Sequence, residues 1–210
     1  MILIASIVLC GHREPYEDYR EMDRYDRYFR QYGAKYFGSD FDWRYFKAQA
    51  IAESRLRKKA RSHDGAMGVM QILPSTFTEI RNKNPDIPDA PWSPKWNIAA
   101  AIYYDRMLWE TWQAERAPKE RLKFMFGSYN AGAEAILEAQ QKALEADLAA
   151  THWRSIEKML PRVLGDAAEE TIHYVADIFV IRKALPPKQN NSDGKAETTG
   201  KKSTDRGRTQ

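Results

Sequence analysis

A single carboxyl group can act as a general acid only if it still holds its proton at working pH. That requires a raised pKa, which burial away from other carboxylates supplies. Glu53 fits this description. Trp43, Phe46, Ala50 and Glu53 fall at i, i+3, i+7 and i+10, so a helix would place Glu53 on an apolar stripe and not on its wet face. Its immediate neighbours Ile51, Ala52 and Ser54 are uncharged. Protonating the leaving oxygen of a glycosidic bond is one task for such an acid. On spacing alone, a helix-end Glu paired with Arg55 or Arg57 explains the position equally well.

The residues around Glu53 carry more information. Glu53-Ser54 is followed by Ser62 and then by Gly65-Ala66-Met67-Gly68-Val69-Met70-Gln71. Further on come Asn97-Ile98, Tyr129-Asn130-Ala131-Gly132, and Glu170-Thr171 with Tyr174-Val175. Taken in order, these blocks resemble the soluble lytic transglycosylase catalytic domain, with its ES, S-x-x-G-A-x-G-L-M-Q, Y-N-A-G and E-T-x-x-Y-V motifs. The stretch DWRYFKAQAIAES is most similar to the catalytic domain of the membrane-bound type F enzymes. The ligand-binding module that usually precedes that domain has no counterpart in these residues.

The resemblance implies an all-α, lysozyme-like fold and a peptidoglycan lytic transglycosylase. Such an enzyme cleaves the β-1,4 bond between N-acetylmuramic acid and N-acetylglucosamine without water and leaves 1,6-anhydro-muramic ends. It implies that Glu53 acts first as acid and then as base, that the substrate's N-acetyl group assists, and that no second carboxylate is needed. Ser62 would bond the N-acetyl or peptide side of the substrate. Ser54, Met70, Gln71 and Leu73 would lie along the sugar groove. Tyr129 would hold the N-acetyl group or the Glu53 carboxyl, Asn130 would brace its loop, and Tyr174 would reach Glu53. Gly65 and Gly68 would let the backbone approach the glycan closely.

The chain also departs from the pattern. Family members commonly read E-S-x-F-N-P where this chain has Glu53-Ser54-Arg55-Leu56-Arg57-Lys58, and Leu73 stands where a Met is frequent. A cation beside Glu53 would lower its pKa, so Arg55 and Arg57 are expected to point away from it. A hydrolase on the same fold, using Asp42 or Asp64 to position water, is the competing enzyme. A non-catalytic wall-binding module is the competing non-enzyme.

The elements that must position these residues read as helices. Residues 12–37 carry Tyr25, Tyr28, Phe29, Tyr32 and Tyr36 at helical spacing, punctuated by Gly33 and Gly38. Ser39-Asp40 offers caps for the helix bearing Glu53. Residues 62–71 read as a glycine-punctuated loop leading into a short helix, and Pro74 opens the next helix. Residues 82–96 read as loop. Further helices are expected over 97–115, from 119 toward 128, over 134–149, over 152–160 with Pro161 as its stop, and over 167–184. A break falls at 129–132. No alternating β pattern stands out, although a small hairpin could sit in 55–72 or 82–96.

The chain of 210 residues is long enough for one ordinary domain, and its 43% hydrophobic and 30% charged residues suit a globular body. That domain is read as 12–185, with the motifs spanning 42–184. The tail 186–210 holds six cations (Lys188, Lys195, Lys201, Lys202, Arg206, Arg208) against three anions (Asp193, Glu197, Asp205), a net +3 of the chain's +4. It reads as a disordered basic tail. The nearly neutral remainder argues against a nucleic-acid-binding body.

Cys10 is the only cysteine, so no intramolecular disulfide forms. His12, His63, His152 and His173 are scattered, and neither a metal nor a cofactor is expected. Residues 1–11 carry an apolar run too short to span a bilayer. They read as a signal or lipoprotein-like segment, with Cys10 as the lipid-bearing residue and membrane attachment as the consequence. Against this stand the missing basic start and A-x-A site, and Leu9 where a small residue is usual. A misassigned start, or a short segment docking on the domain, would read the same. The expected location is the cell envelope, the expected partner is peptidoglycan glycan strands, and the expected state is a monomer.

Overall fold

The computed structural model describes residues 16–186. The segment 1–11 with Cys10, and the tail beyond Pro186, lie outside the described residues. The described residues form eight α-helices: α1 (Asp26–Phe37), α2 (Arg44–Ser54), α3 (Pro74–Lys83), α4 (Pro94–Thr111), α5 (Pro118–Ala131), α6 (Ala133–Glu145), α7 (Trp153–Leu164) and α8 (Ala168–Ala184). A 3-10 turn (Tyr16–Tyr19) precedes α1, and another (Gly165–Ala167) joins α7 to α8.

The centre of the fold is α2. Phe46, Lys47, Ala48, Gln49, Ala50, Ile51 and Ser54 are all buried, so its surroundings are protein on nearly every side. The small residues Ala48 and Ala50 let neighbours come close. On one side α8 lies along it, burying Thr171, Tyr174, Val175, Ile178 and Ile181. On another α1 packs Phe29, Tyr32 and Gly33 toward α2 and α4. The start of α2 is fastened by Asp42, whose carboxylate accepts hydrogen bonds from Arg44 and from Arg182 of α8. Lys47, fully buried, is neutralised by Asp26 of α1 at 2.9 Å.

Several expected boundaries move, each for a visible reason. Gly33 does not end α1 but lies within it, where a Cβ would stand 3.3 Å from Cβ of Trp43; the missing side chain lets α1 and α2 touch. Neither Ser39 nor Asp40 caps α2; the helix starts at Arg44, and Asp42 accepts the Arg44 N–H. Residues 62–73 contain no helix. Their place is taken by a knot of turns with two isolated antiparallel bridges, Arg61 with Met67 and Met67 with Ile72, the nearest approach to a hairpin in 55–72.

The fourth helix stops at Thr111, short of 115, because Trp112 turns inward to pack on Phe124 and donate to Ser128 Oγ at 3.0 Å. Tyr129, Asn130 and Ala131 do not break the chain but form the last turn of α5, and the break is confined to Gly132 with φ 88°. α6 ends at Glu145, where Asp147 takes a left-handed conformation. Pro161 does not stop α7, which continues to Leu164. The lost hydrogen bond is offset by burial of Trp153, Ile156, Met159 and Leu160 along one face.

α5 and α7 meet at a glycine. A Cβ on Gly127 would lie 2.3 Å from Cη2 of Trp153, a ring that is 2% exposed and packs against Phe124. Gly127→Ala is therefore expected to lower stability by about 1–3 kcal/mol, the usual cost of overpacking a tight core. Thermal or urea unfolding measures it, and an unchanged or raised Tm would contradict this packing.

Candidate active site

Glu53 lies in the last turn of α2, where the chain reverses sharply. Arg55 and Leu56 both take left-handed backbone conformations, with φ of 55° and 61°. The Leu56 N–H reaches back to Ala50 O and the Arg55 N–H to Ile51 O, a cap usually built on glycine. Burial of Leu56, which is 0% exposed, holds this strained pair in place. The reversal sends the following chain back across the end of α2 as the loop 61–72.

That loop is stitched down by side chains from three helices. Ser54 Oγ donates to Val69 O at 2.7 Å. Asn97, at the start of α4, donates to Met67 O at 3.0 Å and accepts the Met70 N–H at 2.8 Å. Tyr129 of α5 donates its hydroxyl to Met70 O at 2.8 Å. Within the loop, Gln71 donates to Ala60 O and Gly68 O, and Ser62 Oγ accepts the Ala66 N–H. Gly68 has φ 80° and would place a Cβ 2.8 Å from the Asn97 side chain, so only glycine fits there. Leu73 caps α3 and is partly exposed.

The carboxyl of Glu53 is enclosed, although the residue as a whole keeps some exposure. Oε1 accepts the Tyr174 hydroxyl at 2.6 Å, and Oε2 is buried without a protein donor. Burial pushes the Glu53 pKa up to about 8. The Tyr174 hydrogen bond pulls the other way, and the negative charges of Asp105 and Glu170 add to the rise. No arginine is among the groups that shift it. Arg57 is exposed and bonds the Ser54 carbonyl with Nε. Tyr174 is braced in turn by Thr171, one turn earlier on α8, which donates to Asn130 Oδ1 of α5 at 2.7 Å.

The structure thus gathers Glu53, Ser54, Met70, Gln71, Tyr129, Asn130 and Tyr174 around one end of α2. Ser54, Gln71, Tyr129 and Asn130 are buried and hydrogen-bonded within the protein, while Ser62 and Leu73 lie toward the surface. Neither Asp42 nor Asp64 acts on Glu53. Burial opposes the charge of Asp42, but hydrogen bonds from Arg44 and Arg182 outweigh it and hold its pKa below the usual value. Among the described residues no cluster of His, Cys, Asp and Glu could hold a metal ion.

Sequence reading gave no role to Gln49, Asn97 or Asp105. A signal for Asp105 was present: it continues the stripe of Ile98, Ala101 and Ile102 on α4, the same pattern that singled out Glu53.

A neutral buried carboxyl has a stability signature. Below its ordinary pKa of 4.5, Glu53 is protonated in both folded and unfolded chains. As pH rises toward about 8 the unfolded chain gains the charge first, and the folded state loses the advantage of holding the proton. Glu53→Gln cannot ionise, so its stability relative to the native protein should be lowest near pH 4.5. It should rise by a few kcal/mol, as an order of magnitude, by pH 8.5. Denaturant unfolding across that range tests this, and a pH-independent difference would contradict the enclosed neutral carboxyl.

The sequence model described as Transglycosylase SLT domain matches residues 28–150, from α1 through α6. Membrane-bound lytic murein transglycosylase F of Desulfosudis oleivorans is 31% identical over 121 residues, covering 58% of this chain and 25% of that protein. The protein of the same name from Shewanella halifaxensis is 28% identical over 155 residues, covering 69% and 31%. The chain therefore spans about a quarter to a third of the length of these relatives. The 70 kDa soluble lytic transglycosylase of Escherichia coli superposes with a TM-score of 0.60 at 22% identity, over 80% of this chain and 25% of that one. Its complex with bulgecin A gives 0.58 at 21%. The fold is lysozyme-like and helical, the match takes in Glu53 and the loop 61–72, and the chain belongs to the Transglycosylase SLT domain family.

Proposed function

We propose that this chain is a lytic transglycosylase of peptidoglycan, with Glu53 as its single acid/base. The observation that carries this reading is the enclosed Glu53 carboxyl, hydrogen-bonded by Tyr174, with burial raising its pKa to about 8. Family membership and the names of the relatives support it.

The chemistry follows from that proton. Glu53 gives it to the glycosidic oxygen between N-acetylmuramic acid and N-acetylglucosamine as the bond to C1 breaks. The carbonyl oxygen of the muramic N-acetyl group bonds to C1 and takes up the developing charge. Glu53 is then a buried carboxylate near Asp105 and Glu170, which makes it a strong base for its type. It removes the proton of the C6 hydroxyl, O6 attacks C1, the bond from the N-acetyl oxygen breaks, and a 1,6-anhydro end leaves. The attacking hydroxyl belongs to the sugar already bound, so proximity replaces a water-positioning carboxylate.

In this reading Tyr174 orients the carboxyl, and Tyr129 and Asn97 hold the loop whose outer edge meets the sugar. Ser62 and Leu73 touch substrate in this reading, which their partial exposure supports. Ser54, Gln71 and Asn130 act by bracing, and Met70 shapes the groove floor through its backbone. Their internal hydrogen bonds support these assignments. The place of work is the cell envelope, which the names of the membrane-bound relatives support. Among the described residues no helix is long and apolar enough to cross a membrane. Residues 1–11, with Cys10, are the proposed attachment segment.

Purified peptidoglycan digested by the native chain should yield muropeptides one water lighter than hydrolysis products, as mass spectrometry reads directly. Glu53→Gln should reduce the rate by about 10²–10⁴-fold or more, the usual contribution of a general acid/base. Reducing-end products without anhydro-muramic ends would overturn the proposal in favour of hydrolysis. Wall binding without cleavage would favour a non-catalytic module.

A further inference from the structure

The turn that follows the acid carries charge that nothing in the chemistry above uses. Arg57, Lys58, Lys59 and Arg61 are all exposed. Residues 57–64 hold these four cations against one anion, Asp64, a net +3 with His63 neutral. Residues 1–185 as a whole carry only +1, so the rest of that stretch stands at −2 and its positive excess is gathered in this turn. Among the described residues no acidic side chain pairs with any of the four. Arg55 is partly buried, with Nη2 enclosed by protein, and lies outside this surface. The family pattern has Asn and Pro where this chain has Arg57 and Lys58, so the charge is a feature of this chain.

The backbone of the turn is fixed beside the acid. Arg57 N–H donates to Ser54 Oγ at 3.1 Å and Arg57 Nε to Ser54 O at 3.0 Å, which ties the first cation to the residue next to Glu53. Arg24 Nη2 donates to Leu56 O at 2.7 Å. Ala60 O accepts the Gly68 N–H at 2.9 Å and Gln71 Nε2 at 3.1 Å. Arg61 is bridged to Met67, and Ser62, which touches substrate in the reading above, comes next in the chain. A backbone ordered before binding spares a ligand the cost of ordering it.

We propose that this turn is a specificity element that receives the carboxylates of the peptide stem carried by muramic acid. The inference rests on the reading of the chain as a peptidoglycan lytic transglycosylase. The bond cleaved in that reading is at C1 of the muramic residue, and the stem leaves the same sugar through its lactyl group. Seating C1 at Glu53 therefore holds the root of the stem near the end of α2. An extended stem of four residues reaches about 13 Å. Arg57 is bonded to Ser54, so the turn begins within that reach. The free carboxylates of the stem, one of them at its C-terminus, are anions attached to the reacting sugar itself. An accessory wall polymer or a membrane has no such fixed place relative to C1. Exposed cations pair weakly one by one, but four on one fixed turn act together on an anionic chain.

The test measures binding apart from cleavage. Glu53→Gln is co-sedimented with purified peptidoglycan freed of accessory polymers, before and after the carboxylates of that peptidoglycan are converted to amides. Amidation should weaken binding by about 3–10-fold at low salt, the size expected of a few exposed ion pairs. The difference should vanish by about 0.5 M salt, where such pairs are screened. Adding Lys58→Gln and Lys59→Gln should shrink it to under about twofold, whereas Lys58→Arg with Lys59→Arg, which keeps the charge, should preserve it. With Glu53 intact, the Gln pair should act on cleavage of stem-bearing strands through KM. Should the Gln pair not fold, Arg61→Gln gives the same comparison at a separate position. An amidation effect as large in the Gln pair as in its parent overturns the inference, as does binding by the parent that is indifferent to amidation. Loss of binding to phosphatidylglycerol vesicles in the Gln pair, with the amidation effect intact, overturns it in favour of a membrane surface. Absence of cleavage by the native chain would sink the lytic reading, while the binding comparison would still be read.

Discussion

The constraint on which the structure turns is the burial of α2. A helix packed along α8 and α1, and touched by Asp105 of α4 and Phe126 of α5, has little wet face on which to leave a charge. Every polar side chain on it must be matched or kept neutral. Lys47 is matched by Asp26, and Arg44 by Asp42. Ser54 is satisfied by backbone. Glu53, in the last turn, is handled differently: it receives one hydroxyl and no cation, and it keeps its proton. The fold thus leaves one carboxyl of α2 without a counter-ion, while Arg44 and Lys47 on the same helix have theirs.

The same enclosure shapes the loop after α2. The chain must leave a buried helix end, and it does so through the left-handed pair Arg55 and Leu56. It then returns across that end without regular secondary structure. Its backbone groups are satisfied by Ser54, Asn97, Tyr129 and Gln71. These residues sit close to the acid, yet their hydrogen bonds go to the loop. Their role is to keep an irregular backbone rigid next to Glu53, which a catalytic site needs as much as it needs the acid.

Motif and spacing made a good part of this legible. Apolar periodicity located the helices that carry the site, and the family blocks put Glu53, Tyr129 and Tyr174 in one set before any geometry was known. Helix ends were less legible, because they depend on what a residue meets in space. Trp112 ends α4 by turning into the core, and the apolar face of α7 carries that helix through Pro161. Gly33 was ambiguous for the same reason: a glycine in sequence marks a turn or a close approach, and only the neighbouring helix decides which.

By itself the sequence determined the helical class, the family blocks and the choice of Glu53 as the candidate acid. These depend on local periodicity and on residue types at short spacing. Tertiary structure alone decided what the acid feels. Tyr174 is 121 residues away along the chain and on another helix, yet it donates to Glu53. A pKa is set by the solvent excluded and the charges within a few ångströms. Those distances follow from how α2, α4 and α8 pack, and the one-dimensional spacing of residues does not contain them.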